Sequence, residues 1–284
     1  MALLYNADNR LVIGRFFSKS ALYPYLSVDR RSICISELTL RALFDTICLT
    51  MDRYIKISGI QKLTLLDYPE HTACTLFVPG CNFRCPFCHN SELLGEAVEF
   101  YDEAEIFAFL NKRRGVLEGV CITGGEPTLY TDLDRFARQI KELGYKIKLD
   151  TNGFKPDAIA ALLDEKLVDY IAMDVKNSPD RYAETAGIDP HRFDIEPIRR
   201  SIDIILGAGI DCEFRTTVAA ELFDEASIDG AARMIAGADK YFLQYFVMRD
   251  TVPSKTLTPP TESEMERYLE VARRYVPNAQ IRGR

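Results

Sequence analysis

Between residues 70 and 248 the chain alternates six short runs rich in β-branched and aromatic residues with five segments whose apolar residues recur at helical spacing. The runs are TACTLFV (72–78), GVCIT (119–123), YKIKLD (145–150), VDYIAMDV (168–175), IDCEFRTTV (210–218) and KYFLQYFVM (240–248). The segments are DEAEIFAFLNKR (102–113), LDRFARQIKELG (133–144), PDAIAALLDEK (156–166), IEPIRRSIDIILGAG (195–209) and DEASIDGAARMIAG (224–237). In the fourth segment Ile198, Ile202, Ile205 and Leu206 follow helical spacing, and Gly207 and Gly209 punctuate its end. Such alternation predicts an α/β fold of βα units around a parallel sheet, either open and doubly wound or curled into an incomplete barrel.

Both architectures place ligands against the loops leaving the carboxyl ends of the strands. The unusual clusters of this sequence all fall there. GCNFRCPFCHN (80–90) follows the first strand, GGEP (124–127) the second and DTNG (150–153) the third. DVK (174–176) ends the fourth, and Arg215 lies within the fifth.

Composition narrows the function classes. The 284 residues are 47% apolar and 27% charged, enough for a sizeable core. A net charge of −7 without a lysine–arginine run argues against nucleic acid and for a protein or small-molecule partner. There is no signal-peptide pattern and no apolar stretch of about 18 residues, so the expectation is a cytoplasmic protein with reduced thiols and no membrane contact. Three of the eight cysteines cluster, and Cys34, Cys48, Cys74, Cys121 and Cys212 are scattered. Cys74 and Cys121 sit in apolar strand runs and read as buried thiols.

Residues 1–50 lack the βα rhythm and carry six Lys/Arg against four Asp/Glu. ISELTLRALFDTICL (35–49) has the pattern of a short amphipathic helix. The expectation is a poorly ordered extension upstream of a real start at Met51, with residues 51–284 as the working domain. A genuine partner-docking extension is the alternative, and removing the segment without loss of activity separates the two.

Four chemistries compete for Cys81, Cys85, Cys88 and His89. Cys85–His89 has the C-x-x-C-H form of c-type haem attachment, which leaves Cys81 without a role and normally accompanies export. Cys85 and Cys88 alone have the spacing of a redox dithiol, which also ignores Cys81. A closed zinc site needs four ligands, and His89 is awkwardly placed directly after Cys88. An iron–sulfur cluster on three thiolates leaves one iron open to chelation by an amino acid, and no fourth cysteine of a ferredoxin run is nearby.

The C-x3-C-x2-C loop after one strand, with GGEP after the next, resembles the radical S-adenosylmethionine superfamily. LLDYPEHTACTLFVPGCNFRCPFCHN (65–90) is similar to the corresponding segment of glycyl-radical-enzyme activating proteins. ISGIQKLTLLDYP (57–69) looks most like the activating proteins of anaerobic ribonucleoside-triphosphate reductase. The likeness runs from about Met51 to the C-terminus and implies a partial (β/α)6 barrel.

It further implies a 4Fe–4S cluster on Cys81, Cys85 and Cys88, with S-adenosylmethionine on the fourth iron. Reductive cleavage would give methionine and a 5′-deoxyadenosyl radical that abstracts hydrogen from a glycine of the partner. Gly124 and Gly125 would let backbone approach the methionine moiety, Glu126 would accept from its ammonium, and Pro127 would stiffen the exit. Phe87 matches a position near adenine. Asp150, Thr151 and Asn152 end a strand, so at least one should face the ligand, and Asp174 and Lys176 share one face of the next strand by their spacing of two. Similar positions in these activating proteins contact the S-adenosylmethionine carboxylate, some through a monovalent cation whose site Asp150 and Asp174 could supply, with an ordinary Asp–Lys pair as the bland alternative. Arg215 is expected to point inward toward ribose or carboxylate rather than outward. His71 and His191 read as surface or structural residues, and His89 as offering its backbone. A single cluster implies reduction by an external flavodoxin- or ferredoxin-type donor. Two rival functions remain: a small radical enzyme acting on a metabolite or nucleobase, as compact deazapurine synthases do, and a non-catalytic metal-stabilised binding module.

Overall fold

Each of the six strand-like runs forms a strand, and each of the five helical segments between them a helix, in the computed structural model, which describes residues 3–5, 11–13, 55–95 and 99–283. The chain divides into two compact units, Met1–Ile47 and Cys48–Arg284. In the first, β1 (Leu3–Tyr5) pairs antiparallel with β2 (Leu11–Ile13). The helix expected over 35–49 and the start expected at Met51 lie outside the described residues.

The second unit is built on one eight-stranded sheet. Its six central strands run parallel: β4 (Ala73–Val78), β5 (Gly119–Gly124), β6 (Lys146–Thr151), β7 (Tyr170–Asp174), β8 (Asp211–Val218) and β9 (Tyr241–Tyr245). Two edge strands escaped the sequence reading. β3 (Gly59–Thr64) lies antiparallel on β4, and β10 (Gln280–Arg282) lies parallel on β9. Neither advertises itself, because GIQKLT mixes polar and apolar residues on a largely solvated edge and β10 is three residues long. The two edges do not pair with each other, yet residues from β3 to β9 line one cavity. The sheet is therefore a curled, incomplete barrel, enlarged from six strands to eight.

Local chemistry sets the helices. α1 (Glu103–Arg113) opens on a capping box in which the Asp102 carboxylate accepts from backbone N–H groups of the first turn. α2 (Leu133–Glu142) turns Leu133, Phe136, Ala137 and Ile140 inward. α3 (Pro156–Asp164) begins on a proline, whose missing N–H costs nothing in the first turn. α4 (Tyr182–Ala186) is short and ends on Gly187 at φ 66°. α5 (Glu196–Gly207) buries Ile198, Ile202 and Ile205 as its spacing predicts, leaving Leu206 partly exposed. α6 (Glu225–Met234) and α7 (Glu262–Arg273) are also capped by boxes, at Asp224 and Thr261.

Alternation along the strands gives the sheet two unlike faces. Leu76, Val78, Ile122, Leu149, Ile171, Phe214 and Leu243 are almost fully buried and belong to the main apolar core. The intervening residues include Thr75, Cys121, Lys148, Tyr170, Asp150, Glu213, Asp174 and Arg215. Register ties them into layers: Lys148 with Tyr170, Asp150 with Ala172 and Glu213, Asp174 with Arg215 and Phe242, and Thr217 with Gln244 and Arg282.

Candidate active site

The loop after β4 carries the three cysteines, and backbone contacts to β5 fix its path. Gly125 N donates to Val78 O at 2.7 Å, and Glu126 N to Gly80 O at 2.8 Å. A Cβ on Gly125 would stand 1.8 Å from Gly80 O, and one on Gly124 (φ 119°) 2.4 Å from Val78 O. The two glycines are thus required first by the approach of two protein loops. Behind the loop, Arg84 N donates to Ala186 O at 2.8 Å, and the Arg84 guanidinium reaches the carbonyls of Cys81 and Phe83.

A cavity of about 520 Å³ opens in front of this loop. Cys81, Cys85, Cys88, Phe87, Gly124, Gly125, Asp150, Thr151, Asn152, Asp174, Lys176 and Arg215 all border it. Glu126 and Pro127 do not. Glu126 is 1% exposed, and its carboxylate accepts from Thr128 N and Oγ1, Thr151 Oγ1 and Asn152 N. Burial pushes its pKa up, while these donors pull it down. Three of these donors share Oε1 and one reaches Oε2, so the carboxylate joins the turn after β5 to the end of β6. A larger hollow of about 980 Å³ lies elsewhere, between Thr128 and Arg200, and contains none of the cysteines.

All three cysteines are free thiols. Phe83 N donates to Cys81 Sγ at 3.3 Å, and Asn152 Nδ2 lies 3.7 Å from the same sulfur. Burial pushes the Cys81 thiol up and raises Cys85 to about 12, with the Lys176 charge opposing the rise at both. Lys176 stands 5.9 Å from the centre of the Phe87 ring. Three soft sulfur donors with N–H donors and a cation beside them suit an iron–sulfur cluster. Cys74, Cys121 and Cys212 do not border the cavity, so no fourth described cysteine completes the set. Among the described residues no three His, Cys, Asp or Glu gather as a single metal ion requires. A cluster makes no such demand, because each thiolate binds a different iron.

His89 contributes more than its backbone. Its Nε2 bonds Val247 O at 2.7 Å, its ring stacks on Phe246, and its carbonyl accepts from Thr251 Oγ1 at 2.8 Å. Ser254 N donates to Pro86 O at 3.0 Å, so the segment after β9 straps down the cysteine loop. This use of the imidazole leaves it ill placed as a haem or zinc ligand. His71 packs edge-on against Tyr68, and His191 lies exposed on a 3₁₀ turn; neither borders the cavity.

Arg215 points inward and stands between Asp150 and Asp174, where the sequence offered room for a monovalent cation. Its Nε donates to Asp174 Oδ1 at 2.9 Å, and its Nη1 to Asp150 Oδ2 at 3.4 Å. Lys176 Nζ donates to Asp174 Oδ2 at 3.0 Å, and Lys148 pairs with Asp150. Each carboxylate therefore already has two cationic partners. Burial would raise Asp174, but Arg215 and Lys176 outweigh it and hold the acid at about 2. Lys176 and Arg215 are raised in turn by the carboxylates against the pull of burial, so both stay charged.

Sequence reasoning missed Lys148, Glu213, Gln244 and Arg249. The first two were within reach, since each stands two positions before a residue that was singled out. Gln244 and Arg249 border the cavity but follow no motif.

Comparison with known proteins agrees with this geometry. A protein of Methanocaldococcus jannaschii named as a glycyl-radical enzyme activating enzyme is 34% identical over 230 residues, 80% of this chain and 95% of its own length. A protein of Saccharolobus solfataricus named as a GTP 3′,8-cyclase is 33% identical over 127 residues, but these are 44% of this chain and 41% of the relative. Among solved structures, a radical SAM methyltransferase from Sphaerobacter thermophilus matches with a TM-score of 0.61 at 18% identity, covering 78% of this chain and 68% of that one. Streptococcus suis SuiB bound to S-adenosylmethionine matches with a TM-score of 0.55 at 17% identity, covering 72% and 48%. Both share the fold. The sequence pattern of the Radical SAM superfamily covers residues 75–226, more than half of the chain and every cysteine of the cavity. The chain belongs to the radical SAM superfamily.

Proposed function

We propose that this radical SAM enzyme is a glycyl-radical-enzyme activase whose partner is the large subunit of anaerobic ribonucleoside-triphosphate reductase. The observation that carries the activase reading is the 34% identity that spans 95% of a relative named as a glycyl-radical enzyme activating enzyme; the choice of partner rests on the likeness of residues 57–69 alone. The cyclase relatives favour a second reading, a small-molecule substrate, yet their likeness covers only 44% of this chain.

When bound, a 4Fe–4S cluster with S-adenosylmethionine supplies one electron to the sulfonium and releases methionine and a 5′-deoxyadenosyl radical. The chain's part is to hold, orient and shield. Cys81, Cys85 and Cys88 supply the thiolates, and Phe83 N and Asn152 Nδ2 donate toward Cys81 Sγ. Lys176 and Arg215 offer fixed positive charge to a carboxylate, and Phe87 offers a ring face to adenine. Gly124 and Gly125 keep the wall free of side chains. Asp150 and Asp174 hold the two cations in place. A flavodoxin- or ferredoxin-type donor supplies the electron from outside.

The test combines anaerobically reconstituted, reduced protein with S-adenosylmethionine and the reductase large subunit from the same organism. Electron paramagnetic resonance and 5′-deoxyadenosine are followed in parallel. A glycyl-radical doublet requiring all three components supports chemistry and partner together. Deoxyadenosine released only on adding a nucleotide or other small molecule, with no radical on the reductase, would favour the second reading.

A further inference from the structure

One guanidinium in this site is contested by three carboxylates. Arg215 bonds Asp174 at 2.9 Å and Asp150 at 3.4 Å, and its Nη1 also lies 3.9 Å from Glu213 Oε1. Glu213 is 1% exposed and does not border the cavity. A buried carboxylate without a counter-charge is costly and draws the nearest cation toward itself. Arg215 would then swing away from the cavity wall.

Arg282 removes that demand. From β10 its Nη1 and Nη2 donate to the two Glu213 oxygens, at 3.1 Å each. Its guanidinium also lies 3.5 Å from the centre of the Phe242 ring, and Tyr170 OH donates to Glu213 Oε2 at 3.0 Å. A two-pronged bond and a ring contact together fix a side chain more firmly than either alone. Arg282 itself is not among the residues bordering the cavity.

We propose that Arg282 is a positioning residue for S-adenosylmethionine binding: by satisfying Glu213 it keeps Arg215 committed to Asp150 and Asp174. The proposal rests on the cavity being the S-adenosylmethionine site and is independent of the partner's identity. It predicts an asymmetry between two residues that form one ion pair. Removing Arg282 strands Glu213 and pulls Arg215 off the wall. Removing the Glu213 charge leaves nothing to compete for Arg215.

The experiment measures S-adenosylmethionine affinity by calorimetry on anaerobically reconstituted wild type, Arg282→Gln, Glu213→Gln and the double variant, with thermal melting of each. Arg282→Gln should weaken binding roughly tenfold or more, while Glu213→Gln and the double variant stay within about threefold of wild type. Arg282→Lys keeps the charge without the fork and should fall between. If β10 serves only to hold the fold, all three Gln variants lose affinity in step with their melting temperatures, which would overturn the proposal. If Arg282→Gln does not fold, the double variant, which strands no buried charge, still decides: weakened binding there counts against Arg282 acting through Glu213. A wild type that retains its cluster but does not bind S-adenosylmethionine overturns the proposal by a different route, recognisable because no substitution is involved.

Discussion

The two faces of the sheet use the same strands for opposite ends. On the face beneath the helices, Leu76, Ile122, Leu149, Ile171, Phe214 and Leu243 are essentially inaccessible and close-packed. On the inner face, one residue away in each case, stand Thr75, Cys121, Lys148, Asp150, Ala172, Glu213, Arg215 and Phe242. A closed barrel fills its interior with layers of branched aliphatic side chains. This interior is lined instead with paired charges, which stabilise little after desolvation is counted and are costly when a partner is removed. Stability and ligand binding are therefore assigned to alternate residues of the same strand. The sheet can be rebuilt on one side for chemistry while the other side keeps it folded.

The cysteine loop should give the largest effect. Alanine at Cys81, Cys85 or Cys88 should reduce 5′-deoxyadenosine formation to background and lower iron content, with the melting temperature of the apoprotein little changed. Serine at Cys74, buried on the outer face, should do the reverse. Cleavage retained in Cys81→Ala would sink the three-thiolate site.

Gly125→Ala comes next. Its Cβ would fall 1.8 Å from Gly80 O, so the cysteine loop must move. A cost of about 1–3 kcal/mol or more is expected, with reduced retention of the cluster, read as iron per chain after desalting. An unchanged iron content would mean that the contact between the two loops does not set the cluster's place.

The direct comparison of faces pairs Leu76→Ala with Asp174→Asn. The first should cost about 2–5 kcal/mol in denaturant unfolding and leave S-adenosylmethionine affinity alone. The second should weaken that affinity roughly tenfold and lower stability as well, because Arg215 keeps Asp150 but Lys176 loses its hydrogen-bonded carboxylate. Equal effects on both quantities from both variants would erase the distinction.

How much of this the sequence made legible follows from the same contrast. Strands whose outer residues are buried announce themselves as β-branched runs, and all six central ones are visible that way. β3 and β10 are edges with little to bury, so no pattern marks them. α7 carries a sequence-readable capping box at Thr261 and Glu264, but it follows the last strand that the alternation identified. At the site, the cysteines and the glycine pair stand out because their chemistry allows few substitutes. Asp150, Asp174 and Arg215 are visible as residues, but the placement of Arg215 between the two acids needs the register of three strands. Glu126 shows the limit most plainly. Its motif is unmistakable, while the direction of its carboxylate is set by Thr128, Thr151 and Asn152, and two of these stand at the far end of the neighbouring strand β6.

The smallest expected effect concerns pH, where the inner face should be silent. Asp174 is held at about 2, below its ordinary 3.8, by Arg215 and Lys176 acting against burial. A depressed acid contributes fully above its unfolded pKa and loses that contribution only as pH falls through the folded value. The window of loss is therefore between about pH 4 and pH 2, well below neutrality. Between pH 5.5 and 8, on the order of two to four units above the unfolded pKa, the ratio of S-adenosylmethionine affinities of wild type and Asp174→Asn should stay constant. Lys176 and Arg215, both raised, do not titrate in that interval either. A ratio that changes across it would show Asp174 gaining a proton near neutrality, which requires Arg215 to have left it. The inner face would then be a mobile set of charges rather than a fixed one, and its contrast with the packed outer face would be one of order as well as polarity.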